Sequence, residues 1–239
     1  PTVMIYAGGP GIVETGDYIF RVTAPQVTYT HRAADYLAEQ GVKTIGIIYN
    51  NDSATLNDLA TKVYPELAKE RGIEIVSSNG VSLKETDYGQ AAGEIAKANP
   101  DAVVLLLAGA PNVTAVSALE RAGWEGQIMG QPGMAAGALE PLGKKANGIK
   151  SPLDFAATTN TPVGKEFVAK WKEKFGTDAN TYSAAGYDAA LLLVEGLKQA
   201  EGYEREQIKE GLTKATQAGI EGAAGSIKFE ERDARVPGL

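Results

Sequence analysis

Short apolar segments alternate with amphipathic helical segments between residues 44 and 130. The strand-like runs lie at 44–49, 73–77, 101–107 and 127–130, and the residues between them carry apolar side chains at helical spacing. Continuous apolar runs of this kind are typical of strands whose two faces are both buried in a parallel sheet. Because parallel strands are joined by crossover helices, this alternation predicts a doubly wound α/β sheet with right-handed connections.

Helices dominate the chain after residue 160. The apolar spacing predicts helices at 164–175, 183–200 and 205–215, and one further strand at 225–229. A helix with an apolar stripe must bury that stripe against another layer of structure. We therefore expect that the sheet on which these helices pack is missing from the chain.

The composition excludes several kinds of chemistry. The 239 residues include no cysteine, which rules out disulfides, thiolate nucleophiles and cysteine-based zinc sites. His31 is the single histidine, predicted to lie exposed on a helix, so a Ser-His-Asp triad has no other base. The net charge of -7 argues against a nucleic-acid surface, and no apolar run is long enough to span a membrane. We predict no catalytic residues, no metal site and no cofactor.

Four motifs follow one another over nearly the whole chain. They are DYIFRVT at 17–23, IGIIY at 45–49, FVAKW with the later FG and YSAAGYDAA at 167–190, and GAAGSIKF at 222–229. In this order and spacing they resemble type I periplasmic substrate-binding proteins. The most similar group is the branched-chain amino acid (Leu/Ile/Val) ABC-transporter receptor family. The opening strand–helix units of that family have no counterpart in this sequence.

The resemblance implies an α/β, periplasmic binding protein-like I fold, in which two doubly wound parallel-sheet lobes close over a small ligand. Residues 1–22 are expected to be part of lobe 1, 23–150 to form lobe 2, 151–220 to supply the remaining helices of lobe 1, and 221–239 to form the C-terminal strand and crossover region. One lobe is then incomplete in this chain. A missing N-terminal fragment or a swapped copy is expected to complete it.

The candidate ligand site lies in loops at the carboxyl ends of the parallel strands, where ligands bind in such folds. Ala7, Gly8 and Gly9 follow the first strand, and their backbone N–H groups can approach a carboxylate because no bulky side chain stands in the way. The resemblance implies that this loop holds the carboxylate of the ligand. A plain glycine-rich turn is the alternative interpretation.

Three further loops follow strands of the predicted lobe 2. Ser53 and Ala54 are candidate contacts in the first of them, where relatives often carry a Tyr-Gly pair that reaches the ligand. Helix capping by Asp52 or Ser53 is the favoured interpretation there. The other candidate ligand-binding residues are apolar or uncharged: Ala108, Ala110, Gln131, Pro132 and Met134.

Relatives that bind amino acids often place an acidic residue in the loop that reads Gln131-Pro132 here, where it pairs with the ammonium group of the ligand. This chain offers no charge at that place. An ammonium group that loses its hydration needs a carboxylate or several carbonyl groups in exchange. We therefore predict a ligand that has a carboxylate and an aliphatic or aromatic body but no amine, in preference to leucine or valine.

These features predict a solute-binding receptor of an ABC-type importer, without catalysis. Its expected partners are a small carboxylate ligand (an amino acid or an aromatic or aliphatic acid) and a membrane permease with its ATPase. The expected location is periplasmic or extracellular, after removal of a signal peptide and with or without a lipid anchor. Two alternatives remain: a cytoplasmic ligand sensor of the amide-regulator type, and an α/β enzyme that uses Asp and Glu side chains on a small acid.

Overall fold

The computed structural model describes residues 1–134 and 137–236. Two units divide the chain: the first unit comprises Pro1–Gln26 and Leu153–Leu239, and the second unit comprises Val27–Pro152. Residues 135–136 of the predicted lobe 2 and 237–239 of the predicted C-terminal segment lie outside the described residues. The first unit is thus built from two separate stretches of sequence and the second unit from the stretch between them.

The secondary structure alternates as the sequence predicts in the second unit and is helix-rich in the first. In chain order the strands are β1 (Thr2–Met4), β2 (Ile19–Arg21), β3 (Thr44–Asn50), β4 (Glu74–Val81), β5 (Ala102–Leu106), β6 (Gln127–Met129), β7 (Ile220–Gly222), β8 (Gly225–Glu230) and β9 (Asp233–Arg235). The α-helices are α1 (Gln26–Glu39), α2 (Ala54–Asp58), α3 (Tyr64–Glu70), α4 (Gly89–Ala98), α5 (Pro111–Arg121), α6 (Pro162–Phe175), α7 (Thr181–Gln199) and α8 (Arg205–Ala218). A π-helical turn, Leu59–Val63, joins α2 to α3, and 3-10 turns lie at Val13–Thr15, Pro132–Met134 and Glu140–Ala146.

The sheet of the second unit is parallel, which confirms the prediction for this part of the chain. Its strand order is β4-β3-β5-β6, and each neighbouring pair is parallel. All residues of β5 are buried. Val103 and Leu105 pack in one core with α4 and α5, whereas Val104 and Leu106 pack in a second core with α1 and α3. A strand that is buried on both faces needs the continuous apolar run found in the sequence.

The sheet of the first unit is mixed. Its order is β1-β2-β9-β8-β7, with β1, β2 and β9 parallel and β9, β8 and β7 antiparallel. The connection Ala223-Ala224 is too short for a crossover, so β7 and β8 form a hairpin. Gly225 begins β8 at φ 100°, a left-handed conformation that glycine tolerates. The α/β class is confirmed, but the expectation of a wholly parallel sheet is corrected for this unit.

The helices of the first unit do have a sheet to pack on, which corrects the expectation that it is missing. α7 contacts β7, and α8 contacts β8. Four of the five strands have only three residues each, too few to show an alternating pattern in the sequence. The outer side of α7 nevertheless stays apolar and open, because Tyr187, Leu193, Val194 and Leu197 are 38–47% exposed.

His31 is exposed on α1, as predicted. Among the described helices, none combines the length and the apolar character that crossing a bilayer requires.

Candidate functional site

The loop that follows β1 begins with a strained residue. Tyr6 has φ 48°, in the left-handed region that tyrosine rarely adopts. Its backbone N–H donates a hydrogen bond to Thr23 Oγ1 (2.8 Å), and its hydroxyl donates to Asp154 Oδ1 (2.6 Å). The hydroxyl also contacts Thr181 Oγ1, and the ring packs edge-on against Tyr182 with 5.1 Å between centroids. These contacts fix the point at which the chain leaves β1.

Arg21, the last residue of β2, holds the next part of this loop. Its side chain is buried and forms a bidentate ion pair with Asp233 in β9, with 2.6 Å from Nε to Oδ1 and 2.7 Å from Nη2 to Oδ2. The remaining nitrogen, Nη1, donates to the carbonyl oxygens of Ala7 (2.7 Å) and Gly9 (2.9 Å). A single guanidinium group therefore ties loop 7–9 to two neighbouring strands.

The backbone of loop 7–9 turns its carbonyl groups toward the protein. The carbonyl oxygen of Gly8 accepts a hydrogen bond from the N–H of Gln26 (3.0 Å). The N–H groups of Ala7, Gly8 and Gly9, in contrast, donate to no atom of the described residues. Gly8 leaves no room for a side chain, since a Cβ there would lie 2.7 Å from Gln26 Cβ. The loop thus offers unused N–H donors, an arrangement that suits an anion.

Two buried ionisable groups of the first unit have raised pKa values. Burial, with the charge and hydrogen bond of Asp154, raises the pKa of the Tyr6 phenol, so this group stays a neutral donor. Asp188 in α7 accepts hydrogen bonds from the backbone N–H groups of Ala223 (2.5 Å) and Ala224 (3.1 Å), and burial raises its pKa to about 6. Both side chains fix backbone: Tyr6 anchors loop 7–9, and Asp188 holds the β7–β8 connection.

In the second unit, the loop after β3 contains a helix cap. β3, β5 and β6 end at the same edge of their parallel sheet. Ser53 Oγ accepts a hydrogen bond (3.3 Å) from a backbone N–H in the first turn of α2, which confirms the capping prediction for Ser53. Of the two residues predicted as alternatives, Asp52 is not the cap: its Oδ2 accepts from Ser82 Oγ and the Leu83 N–H, both at 2.7 Å, after β4. Ala54 is the exposed first residue of α2.

The loop after β5 is small, apolar and exposed. Ala108 and Ala110 lie exposed in front of α5. Asn112 is buried in the first turn of this helix, where its Nδ2 donates to the carbonyl oxygen of Gly109 (3.1 Å) and its Oδ1 has no hydrogen-bond partner among the described residues. A Cβ on Gly133 would lie 3.5 Å from Ala108 Cα, so the loops after β5 and β6 lie against each other.

The candidate residues after β6 are buried. Gln131, Pro132 and Met134 all lie below the surface, and Met134 belongs to the core that contains Val103. The carbonyl oxygen of Gln131 accepts a hydrogen bond from Ser151 Oγ (2.6 Å). Residues 108–110 after β5 and 131–134 after β6 therefore offer no charged side chain that could pair with a charged ligand group.

The residues that shape loop 7–9 were not predicted from the sequence. Arg21 and Asp233 are far apart in the sequence, and neither belongs to a ligand-binding motif. One signal was present: an arginine inside the apolar run of DYIFRVT is expected to be buried only with a partner. Within the part of the chain that the structure describes, no group of three or more metal-ligating side chains comes together.

Comparison with protein families identifies the class. A family model described as "Periplasmic binding protein" matches residues 2–238. The chain belongs to the periplasmic binding protein family. The resemblance found in the sequence is thereby confirmed, and solved periplasmic binding proteins provide the structural comparison. No curated protein matches the sequence.

Three solved periplasmic binding proteins are similar in fold. The solute-binding protein of an ABC transporter from R. palustris, in complex with benzoate, has a TM-score of 0.88 at 18% identity, over 98% of this chain and 65% of that one. A solute-binding protein from Rhodopseudomonas palustris BisB5, in complex with 3,4-dihydroxybenzoic acid, has a TM-score of 0.83 at 25% identity and covers 98% of this chain and 65% of its own. The branched-chain amino acid transporter substrate-binding protein from Streptococcus pneumoniae, in complex with isoleucine, has a TM-score of 0.84 at 21% identity, over 95% of this chain and 64% of that one. This chain thus spans less than two thirds of the length of each.

Proposed function

We propose that this chain is part of a solute-binding receptor of an ABC-type importer and that its two units are the two lobes of that receptor. The receptor binds a small carboxylate ligand without catalysis, in the periplasm or on the outer side of the cell, and passes it to a membrane permease. The family match and the solute-binding proteins among the solved relatives support this class. The ligand chemistry rests on the first unit.

Loop 7–9 carries the proposal. Its three carbonyl groups are bound from the protein side by Arg21 and Gln26, and its N–H groups have no acceptor within the described residues. A carboxylate oxygen accepts hydrogen bonds from backbone N–H groups strongly, because the acceptor is charged. The Arg21 guanidinium lies on the carbonyl side of the Ala7–Gly8 peptide group, which carries the N–H of Gly8, and adds positive potential. This loop is therefore suited to the carboxylate of a ligand.

The second unit supports a ligand without an amine. Its loops 108–110 and 131–134 contain no charged side chain. Leaving a buried ammonium group without its charged partner costs roughly 3–5 kcal/mol, or about two to four decades in affinity. An aromatic or aliphatic acid avoids that cost. The solved relatives include both ligand classes, aromatic acids in two structures and isoleucine in a third, so the choice rests on the loops of this chain. We propose an aromatic or aliphatic acid rather than a branched-chain amino acid.

Isothermal titration calorimetry tests this proposal with four compounds. Benzoate and 3,4-dihydroxybenzoate represent the acids, leucine represents the amino acids, and benzamide keeps the ring of benzoate but has no negative charge. We expect heat of binding with at least one acid and none with leucine or benzamide. Binding of leucine at micromolar affinity or tighter, with no response to either acid, contradicts the proposed ligand class.

A further inference from the structure

The bonds of Arg21 divide into two halves with different targets. The side chain of Arg21 is 3% exposed, and a charge buried this deeply needs a partner. Asp233 is that partner and takes Nε and Nη2. Nη1 makes no further ion pair in the described residues; it donates to the carbonyl oxygens of Ala7 and Gly9. Two of these four hydrogen bonds are therefore made to the backbone of loop 7–9.

The shape that results decides where the N–H groups of the loop point. Ala7 and Gly9 are two positions apart, and one nitrogen binds the carbonyl oxygens of both. The chain between them must curve around that nitrogen, with the carbonyl groups on the inner side. Because the peptide bonds are trans, the N–H group of Gly8 points away from the Ala7 carbonyl group that Arg21 binds, and the N–H group of Gly9 points away from the Gly8 carbonyl group that Gln26 binds.

The neighbouring residue shows that this curvature is imposed on the chain. Tyr6 adopts φ 48°, a conformation that persists only where surrounding contacts determine it. Thr23, Asp154 and Thr181 contact Tyr6 itself, and Arg21 binds the carbonyl oxygen of the next residue, Ala7. A lysine at position 21 keeps the charge but has a single nitrogen, so it cannot bind Asp233 in the same bidentate way and both carbonyl oxygens at once.

We propose that Arg21 is the positioning residue of the carboxylate loop: its Nη1 holds the Ala7 carbonyl group and thereby turns the N–H group of Gly8, which belongs to the same peptide group, toward the ligand, while Asp233 holds the guanidinium in place. This inference deepens the proposed function and rests on it. Arg21 does not touch the ligand. It acts on the N–H donor of Gly8 through the Ala7–Gly8 peptide group, and it fixes the end of the loop through the carbonyl oxygen of Gly9. The identity of the side chain matters because two carbonyl oxygens and a carboxylate must be bound together.

Arg232 provides a matched control. It lies next to β9, and its side chain also donates to two backbone carbonyl oxygens, from Nε to Ile19 (3.2 Å) and from Nη2 to Val13 (3.0 Å). Neither of these lies in loop 7–9. Arg232→Lys therefore shows how losing an arginine that binds two backbone carbonyl oxygens affects the first unit away from loop 7–9. Arg21→Lys shows the effect of the same loss at the loop.

The experiment compares Arg21→Lys, Arg232→Lys and the unchanged protein by two readouts. Amide resonances and solvent exchange of Gly8 and Gly9, measured by NMR without ligand, follow the loop itself. Calorimetry with benzoate follows the site. We expect Arg21→Lys to shift both glycine resonances, to speed their exchange and to weaken benzoate binding about ten- to a hundredfold, the effect of losing charge-assisted hydrogen bonds. Arg232→Lys is expected to leave the resonances unchanged and affinity within about twofold.

The two readouts separate the inference from the function on which it rests. If the unchanged protein binds no carboxylate, the proposed function fails, and the glycine resonances still decide whether Arg21 shapes the loop. Glycine resonances that respond equally to both substitutions, or equal losses of affinity in both variants, overturn the inference. Should Arg21→Lys not fold, Asp233→Asn replaces it: the neutral amide frees the guanidinium, and the same two resonances are expected to shift.

Discussion

Replacing Asp188 by asparagine should change how the stability of the protein depends on pH. The carboxyl group of Asp188 is 1% exposed, and burial raises its pKa from 3.8 to about 6, against the opposing effect of hydrogen bonds from the backbone N–H groups of Ala223 and Ala224. The folded state therefore holds this proton more tightly than the unfolded state does. The stabilisation from the protonated form is complete below pH 3.8 and is lost as pH rises through about 6.

The size of the effect follows from the shift. A rise of about two pKa units corresponds to about 3 kcal/mol at about 1.36 kcal/mol per unit. Asparagine does not titrate, so its contribution is the same at each pH. The free energy of unfolding of the unchanged protein, minus that of Asp188→Asn, should fall by about 2–3 kcal/mol between pH 4 and pH 7 and then stay level.

Urea denaturation followed by far-UV circular dichroism, at unit steps from pH 4 to pH 8, measures this difference. Asp178→Asn is a suitable control, because the carboxylate of Asp178 is 82% exposed and pairs with Lys172 at the surface. We expect the control to change the pH dependence by less than about 0.5 kcal/mol. If the difference in free energy of unfolding between the unchanged protein and Asp188→Asn is constant, or rises with pH, burial is not the dominant influence on the pKa of this carboxyl group.

Three further predictions use the same denaturation assay, calorimetry and sedimentation. Gly46→Ala should destabilise the protein by about 1–3 kcal/mol, because the new Cβ would lie 2.3 Å from a methyl group of Ile95 in α4. The control, Gly93→Ala, should be neutral or stabilising, because a Cβ there has no neighbouring atom within 4 Å. Gly8→Ala should weaken carboxylate binding at least about tenfold by displacing the loop, whereas Gly16→Ala, also with open space around it, should not. Leu197→Gln should reduce both the binding of an apolar dye and self-association through the exposed face of α7. Unchanged sedimentation and dye fluorescence would show that this face mediates neither.

Sequence patterns predicted the second unit well because its strands are buried on both faces. β5 shows the reason: its alternate side chains fill two different cores, so an unbroken apolar run marks it. The first unit was harder to predict. β1, β2, β7 and β9 have three residues each, and no periodicity can be read from three residues. The hairpin of β7 and β8 was also not foreseen, because only one of its strands left a pattern.

The candidate site was predicted as a set of loops and not as an arrangement of contacts. Loops at strand ends follow from topology, so the positions of Ala7 and Ala108 could be named in advance. The cap on α2 was correctly narrowed to two residues, but choosing Ser53 over Asp52 required knowing that the segment after β4 supplies competing donors. The side chain that holds loop 7–9 could not be deduced, since its partner lies 212 positions away.

That separation of 212 positions between Arg21 and Asp233 sets an order of events during synthesis. The second unit has all its strands once residue 129 has been made, and contacts that are near in sequence form early because little chain entropy opposes them. β2 cannot pair with β9 until residue 233, 212 positions after Arg21, has been made. A nascent chain that stops short of residue 233 contains every residue of loop 7–9 but not the carboxylate that balances Arg21. The ion pair that holds loop 7–9 therefore forms only after residue 233 has been made, so that this loop reaches its final arrangement later than the cores of the second unit.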